Sequence, residues 1–315
     1  MSQSIEISFI TINYNSSDYT NKLVNSIIKY SLDISYEIIV VDNNSNKDDL
    51  LKLKEYFKDI KNIKLIENSI NSGFSSGNML AVNYATGKYY FFINNDCELL
   101  NDAAKIFKDF LDNNRNVSLC TGTIIDEKGK ITSSYGTFPH YIGKFFGKNA
   151  QRLFSKEKFP SNKIKIFDNT KVEVVSGSCM FFRAEDFCNI GGFDTIFFLY
   201  CEEEDISKRV WNSNKEVYFV PEAKITHKAG GSTHRNFEIE REFYISYYHL
   251  IEKHYDNLGQ LLMKTALFLK LFFRIFKKKC GLKIFFVMLN GFPNKYSIRY
   301  KQKINLKGKN CQSLN

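Results

Sequence analysis

Four short apolar runs recur through the first hundred residues, each followed by a segment whose apolar residues fall at helical spacing. ISFITIN (7–13), EIIVVDN (37–43), KNIKLIEN (61–68) and KYYFFIN (88–94) read as strands. NKLVNSIIKYSL (21–32), DDLLKLKEYFKD (48–59), SSGNMLAVNYA (75–85, closed by Gly87) and DAAKIFKDFLDN (102–113) read as helices. The centre of EIIVVDN is β-branched, the pattern of a strand buried on both faces. Strands spaced by helices of this length predict a mostly parallel sheet with helices on both faces. In such sheets ligands bind beyond the C-terminal strand ends. Each of these strands ends in small polar or acidic residues: Thr11 and Asn13, Asp42 to Ser45, Asn68 to Asn71, Asn94 to Asp96.

The rhythm weakens between about 120 and 170, where YGTFPHYIGKFFGKN reads as an insertion or loops. KVEVVSGSCMFFR (171–183) then predicts one strand, AEDFCNI a short helix, EVYFVP (216–221) another strand and ITHKAGGS (225–232) a loop. The 315 residues suffice for one large domain or two ordinary ones, and 43% hydrophobic content fills a sizeable core. Seven cysteines without paired spacing suit a reducing cytosol and point away from a disulfide framework. MSQSIEISFI has no signal-peptide character, and no charge-free window is long enough to span a bilayer.

Two polar corners invite chemistry. Glu202 to Asp205 place four carboxylates in a row before SKRVW. A helix turns about 100° per residue, so the four cannot share one face. One reading is a helix start, with Glu204–Lys208 and Asp205–Arg209 paired at i,i+4. The other is a general base, because crowded carboxylates have raised pKa values. Asn94-Asn95-Asp96 can be an ordinary turn, or can present Asp96 to a hard divalent cation that needs oxygen ligands. Gly73 and Gly77 in NSGFSSGN allow close backbone approach to a ligand.

Taken in order, VVDNNS (40–45), NSGFSSGN (71–78), FFINND (91–96), VSGSCMFFR (175–183), GGFDTIFFLYCEEEDISKR (191–209) and ITHKAGGST (225–233) resemble the family 2 glycosyltransferases, in particular the bacterial rhamnosyltransferase-like subgroup. The resemblance covers about residues 5–250. It implies the α/β nucleotide-diphospho-sugar transferase fold called GT-A. It also implies inverting transfer of a sugar, from a donor such as dTDP-rhamnose or a UDP-sugar, to a lipid-linked or polysaccharide acceptor in cell-surface glycan synthesis. Carried over residue by residue, Thr11, Asn13, Asp42 and Asn44 fall at nucleotide-binding positions, with Asp42 facing the pyrimidine. Gly73 and Asn78 line the nucleoside pocket. Asp96 matches the last carboxylate of the family's DXD motif and holds a divalent metal, Mg2+ or Mn2+; Asn94 replaces the first Asp, with Asn95 between them. Glu202 and Glu203 match the catalytic acid pair, usually Glu-Asp, and Glu203 takes the base position. Asp205 and Arg209 close that motif. His227 resembles a late histidine near metal and diphosphate.

Charge is unevenly placed. Residues 251–315 carry 14 Lys and Arg against two acidic residues, a net of +12, while the remaining chain nets −2. Within LLMKTALFLKLFFRIFKK (261–278), Lys264, Lys270, Arg274, Lys277 and Lys278 share an arc of about 140°. Leu261, Leu262, Phe268, Leu269, Phe272, Phe273, Ile275 and Phe276 occupy the other side. The pattern predicts a helix lying in an anionic membrane interface, or else a terminal helix packed on the body; it is too apolar for a nucleic-acid arm. The expected organisation is a transferase domain over 1–250 and a basic amphipathic helical tail over 251–315, placing the enzyme on the cytoplasmic, inner face of the cell membrane. A nucleotidyltransferase and a non-catalytic nucleotide-sugar-binding subunit are the competing readings. The late acid pair argues against the first, and the retention of Asp96 and Glu203 against the second.

Overall fold

The computed structural model describes residues 4–147, 149–151, 166–228, 236–276 and 281–305. Strands β1 (Ile7–Asn13), β2 (Tyr36–Asp42), β3 (Ile63–Glu67) and β4 (Tyr89–Ile93) alternate with helices α1 (Ser17–Tyr30), α2 (Lys47–Phe57) and α3 (Gly73–Val82). There follow β5 (Cys97–Leu99), α4 (Ala103–Asn113), β6 (Val117–Ile125), β7 (Tyr135–Gly136), α5 (Tyr141–Phe146), β8 (Thr170–Lys171), β9 (Val174–Val175) and β10 (Cys179–Arg183). The chain continues through α6 (Ala184–Asn189), α7 (Glu202–Asn212), β11 (Glu216–His227), α8 (Phe237–His254), α9 (Asn257–Ile275) and α10 (Gly281–Leu289). The main sheet runs β3-β2-β1-β4-β10-β6-β11-β5, with β8 also on β11. Strands β3, β2, β1 and β4 are parallel, as are β6 and β11, while β10 lies antiparallel between β4 and β6.

Alternation along buried strands divides the core in two. Ile7, Phe9, Phe91 and Phe181 meet α1, α2 and α4 through Leu23, Ile27, Leu53, Phe57, Phe107 and Leu111. Ile10, Phe92 and Phe182 meet α3, α6 and α7 through Ala81, Phe187, Ile206 and Val210. Rings stack edge-on here, as in Phe92 against Phe193 at 4.9 Å and 77°. Each such pair contributes about 0.5–1.5 kcal/mol beyond its buried area.

Three sequence expectations change. Residues 171–183 form no single strand: the chain breaks at Ser176-Gly177-Ser178, where the peptide turns between β9 and β10. EVYFVP does not end at Pro221, because β11 continues to His227. The register shifts between Val220 and Lys224, and proline is tolerated at such an irregularity. His227, expected in a loop, is thereby a strand residue paired with Cys97. Gly230 and Gly231 lie outside the described residues.

The boundary expected at 250 falls inside α8, and the chain beyond it packs back on the body. Met263, Leu267 and Leu271 of α9, Ile284 of α10 and Phe292 join Phe197, Cys201, Tyr244, Leu250 and Ile251 in a third core. Two cations predicted to face lipid turn to protein instead. Lys264 Nζ lies 3.0 Å from Glu252, and Arg274 pairs with Glu240 and donates to Tyr244 Oη at 2.9 Å. Lys277 and Lys278 lie outside the described residues. Leu261, Phe268, Leu269, Phe272, Phe273 and Phe276 are exposed. Among the described residues, no helix is long and apolar enough to cross a membrane.

Candidate active site

The C-terminal ends of β1, β2 and β4 border a cleft of about 370 Å³ whose walls include Ile12, Tyr14, Asn43, Gly73, Phe74, Asn78, Asn94, Asn95 and Phe198. Thr11, Asn13 and Asp42 sit beneath this wall, fully buried. Asn13 Nδ2 donates to Asp42 Oδ1 (3.1 Å), Ser45 Oγ (3.0 Å) and Asp49 Oδ2 (2.8 Å), and Asn13 Oδ1 accepts from Thr20. Asp42 Oδ2 accepts from Ser45 N–H at 3.2 Å. These residues lock the loops after β1 and β2 together. Thr11 Oγ1 has no hydrogen-bond partner among the described residues.

Asn43, which the sequence reading passed over, is the tie of the cleft wall. Its Oδ1 accepts from Asn68, Ser72 N–H and Ser72 Oγ, and its Nδ2 donates to Asn71 Oδ1 and Gly73 O. Two consecutive asparagines after a parallel strand were its only signal. Gly73 has φ +79°, and a Cβ there would stand 2.2 Å from Phe198 O. That carbonyl accepts Phe74 N–H at 2.8 Å, so glycine is what lets α3 begin against the 198 loop. Asn78 Nδ2 caps back onto Phe74 O. Asn44, at φ +66°, is absent from the cleft wall and donates to Lys303 O at 3.3 Å.

Beside the cleft, Asn95 Nδ2 donates to Ser16 Oγ (2.7 Å) and Thr20 Oγ1 (3.0 Å), and Asn94 N–H to Ser178 O (3.0 Å). This fixes the corner that carries Asp96. Strand β5, too short to be read from sequence, pairs with the end of β11 and brings His227 Nε2 to 3.3 Å from Asp96 Oδ1. No hydrogen bond joins them, and among the described residues the buried Asp96 Oδ1 has no donor. An orphaned carboxylate oxygen beside an imidazole nitrogen fits a divalent cation. Cys97 Sγ belongs to the same cluster. Burial, and then the Asp96 charge, push its thiol well above the usual range. It donates toward Ser178 O.

The acidic row opens α7. Tyr200 (φ +74°) and Cys201 (φ +66°) take the left-handed conformation in succession just before α7. Side chains other than glycine rarely adopt it, and such strain collects at functional turns. The turn swings Glu202 and Glu203 into the first helical turn. The Glu203 carboxyl packs on Gly177, where a Cβ would stand 3.5 Å from its Cδ. The next residue is Ser178, whose carbonyl holds Asn94. The acid pair and the Asp96 corner thus share one loop. Burial, then the neighbouring Glu203 charge, hold the Glu202 carboxyl well above the usual range; burial raises Glu203 as well, and burial and Glu203 lift Glu204 to about 8. Among the described residues, Glu202 Oε2 and Glu204 Oε2 have no hydrogen-bond partner.

The expected Glu204–Lys208 pair does not form. Lys208 Nζ instead lies 4.8 Å from the Phe138 ring centre. The Asp205–Arg209 pair does form, at 2.7 Å. Asp205 also meets His254 Nε2 and Lys253 Nζ, each at 2.7 Å. Burial opposes its ionisation, but His254, Arg209 and Lys253 prevail and bring its pKa to about 2. A carboxylate so held is an anchor between α7 and α8, not a proton acceptor at neutral pH.

A mixed α/β sheet with a polar cleft at its C-terminal strand ends is the architecture of the GT-A glycosyltransferases. The same architecture appears in the crystal structure of GalNAc-T7 with UDP, GalNAc and Mn2+ (TM-score 0.57, 16% identity, 84% of this chain and 55% of that one). It also appears in S. aureus TarS 1–349 with UDP (TM-score 0.52, 16% identity, 88% and 73%). The family model "Glycosyl transferase family 2" matches residues 8–191, and the chain belongs to that family and is a glycosyltransferase. It is 27% identical over 227 residues to rhamnosyltransferase WbbL of Escherichia coli, spanning 70% of this chain and 82% of the relative. It is 36% identical over 62 residues, 20% of each chain, to the N-acetylglucosaminyl-diphospho-decaprenol L-rhamnosyltransferase of Mycobacterium tuberculosis.

Proposed function

We propose that the protein moves a sugar, with inversion, from a pyrimidine nucleotide-diphospho-sugar (dTDP-rhamnose or a UDP-sugar) to a lipid-linked or saccharide acceptor in bacterial cell-surface glycan synthesis. The observation that supports this best is the convergence of a buried, proton-avid acid pair and a metal-competent carboxylate on the single loop Ser176-Gly177-Ser178. The rhamnosyltransferases among its relatives support the donor class.

In this reading the cleft bordered by Asn43, Gly73, Asn78 and Asn94 holds the nucleotide. Thr11, Asn13 and Asp42 brace its floor, and Asn44 holds the backbone of Lys303. Asp96 and His227 would hold Mg2+ or Mn2+, which supplies positive charge against the departing diphosphate. Glu203 accepts the proton of the acceptor hydroxyl. The hydroxyl oxygen bonds to the anomeric carbon as the bond from that carbon to the diphosphate oxygen breaks, and the electron pair leaves with the diphosphate. A base whose pKa lies above the ordinary carboxylate range suits this work, because proton transfer is most effective when the pKa approaches the working pH. Burial raises the proton affinity of Glu203, and the Glu203 charge in turn holds Glu202 toward its protonated form.

A screen of nucleotide sugars with a prenyl-linked acceptor, reading release of nucleoside diphosphate, tests the assignment. Release from dTDP-rhamnose or a UDP-sugar is expected; no release from any sugar nucleotide would defeat it. Asp96→Ala should abolish metal-dependent turnover with the fold intact. Wild-type kcat in that variant under chelation would remove the metal role.

The exposed Phe and Leu face of α9, with the net +12 of the last 65 residues, supports seating on the inner membrane surface. With Lys264 and Arg274 engaged by Glu252 and Glu240, the apolar face carries more of the attachment than the cations do. Flotation with anionic and neutral vesicles should therefore show binding to both, stronger to the anionic. Full-length protein left in solution with both would remove the membrane assignment.

A further inference from the structure

The last described residues do not trail away from the body. Ser297 Oγ and Ile298 N–H donate to the buried Glu242 of α8 at 2.8 and 2.7 Å. Arg299 donates to Thr195 O and Ile196 O, on the turn that leads to the acidic row, and Lys301 pairs with Glu238. The segment then crosses the open side of the sheet: Asn44 Nδ2 donates to Lys303 O, and Asn305 N–H donates to Ser69 O at 2.7 Å. Along this path Ile298 and Gln302, both half-buried, line the same cleft as Asn43, Gly73 and Asn94.

Sheet order says which end of a nucleotide lies under this strap. Asp96 follows β4, Asn44 follows β2 and Ser69 follows β3, in the order β3-β2-β1-β4. Strands lie about 4.8 Å apart, so the strap's anchors at Asn44 and Ser69 stand two to three strand spacings, roughly 10–14 Å, from the Asp96 corner. A nucleoside diphosphate with its phosphates at Asp96 extends its base in that direction. Gln302 also has a defined polarity. Its Nε2 donates to Ile298 O at 3.1 Å, which turns the amide so that Oε1 is the unused group, an acceptor without a donor among the described residues.

We propose that residues Ser297–Asn305 are part of the donor site, forming the outer wall of its nucleoside subsite, with Ile298 packing on the nucleoside and Gln302 Oε1 accepting the ring N–H of uracil or thymine. This rests on the nucleotide-sugar reading above. Cytosine presents a lone pair where those bases present N3–H, so an oriented acceptor discriminates against it.

Calorimetric titration of UDP, dTDP and CDP, with Mn2+, into the full-length protein tests this. The wild type is expected to prefer UDP and dTDP to CDP. Gln302→Ala should weaken UDP and dTDP by roughly 3–10-fold, the worth of one neutral hydrogen bond, and leave CDP unchanged. Ile298→Ala, which keeps the backbone bond to Glu242, should weaken all three alike. Unchanged affinities in both variants, or equal loss of UDP and CDP in Gln302→Ala, would overturn the inference while the donor reading stands. A wild-type protein that binds none of the three would overturn both.

Discussion

The two faces of the first turn of α7 carry carboxylates in opposite states. At its start, Glu202 is buried and Glu203 half-buried beside it, and the proton affinity of both is raised. Two residues on, Asp205 is equally buried, yet its pKa falls to about 2. Burial is common to both faces; partners are not. Asp205 meets three cationic or hydrogen-donating side chains from α7 and α8, whereas among the described residues Glu202 Oε2 meets none. One stretch of four acids thus supplies both proton-avid carboxyls and the brace that holds their helix. A buried charge is tolerated when paired and is driven toward its neutral form when alone.

Glu203→Gln puts the largest expected effect on the reactive face. It should lower kcat by about 10²–10⁴-fold with donor affinity nearly unchanged. Glu202→Gln should cost less, because Glu203 and not Glu202 falls at the base position. Steady-state kinetics beside donor titration separates the two, and wild-type activity in Glu203→Gln would move the base elsewhere.

Asp205→Ala breaks the brace. It leaves Arg209, Lys253 and His254 without their shared acceptor, and removing one partner from a buried ionic cluster costs about 3–5 kcal/mol. Urea denaturation at pH 7 should show that loss. Because the folded pKa of Asp205 is depressed, its contribution is present above the unfolded value of about 3.9 and is lost only as pH falls toward 2. The deficit of the variant should therefore be constant between pH 5 and 8. A deficit that vanishes at pH 5 would contradict the assignment.

Glu204→Gln sharpens the comparison from the other side. A carboxyl raised to about 8 in the folded state contributes stability that is fully present below its unfolded pKa of about 4.3 and is lost as pH rises through 8. The wild type should lose stability over that window, and Glu204→Gln should lose less. Melting temperatures from pH 5 to 9 decide it; parallel curves would show that the carboxyl is not raised.

Much of this was legible in the sequence because it is local. The first four strands and helices follow from periodicity. Polar residues at the strand ends announce a cleft, since a parallel sheet leaves its loops there. The i,i+4 pairing of Asp205 and Arg209 is likewise a property of one helix. The pairing of Glu204 with Lys208 was equally plausible at that level and failed, because Phe138 offered Lys208 a ring instead.

What sequence alone determined is therefore the sheet, the order of the motifs and the placement of candidate acids at turns. All of these depend on side chains within a few residues of one another. Tertiary structure alone decided what those acids are. Asp205 is an anchor because His254, 49 residues away, reaches it. Asp96 is metal-competent because β11 runs past Pro221 to deliver His227. Residues 298–305, for which the sequence offered no structural reading, return to the cleft because Glu242 and Ser69 capture their backbone. Ionisation and hydrogen bonding depend on what lies within a few ångströms in space, and chain order does not specify that neighbour.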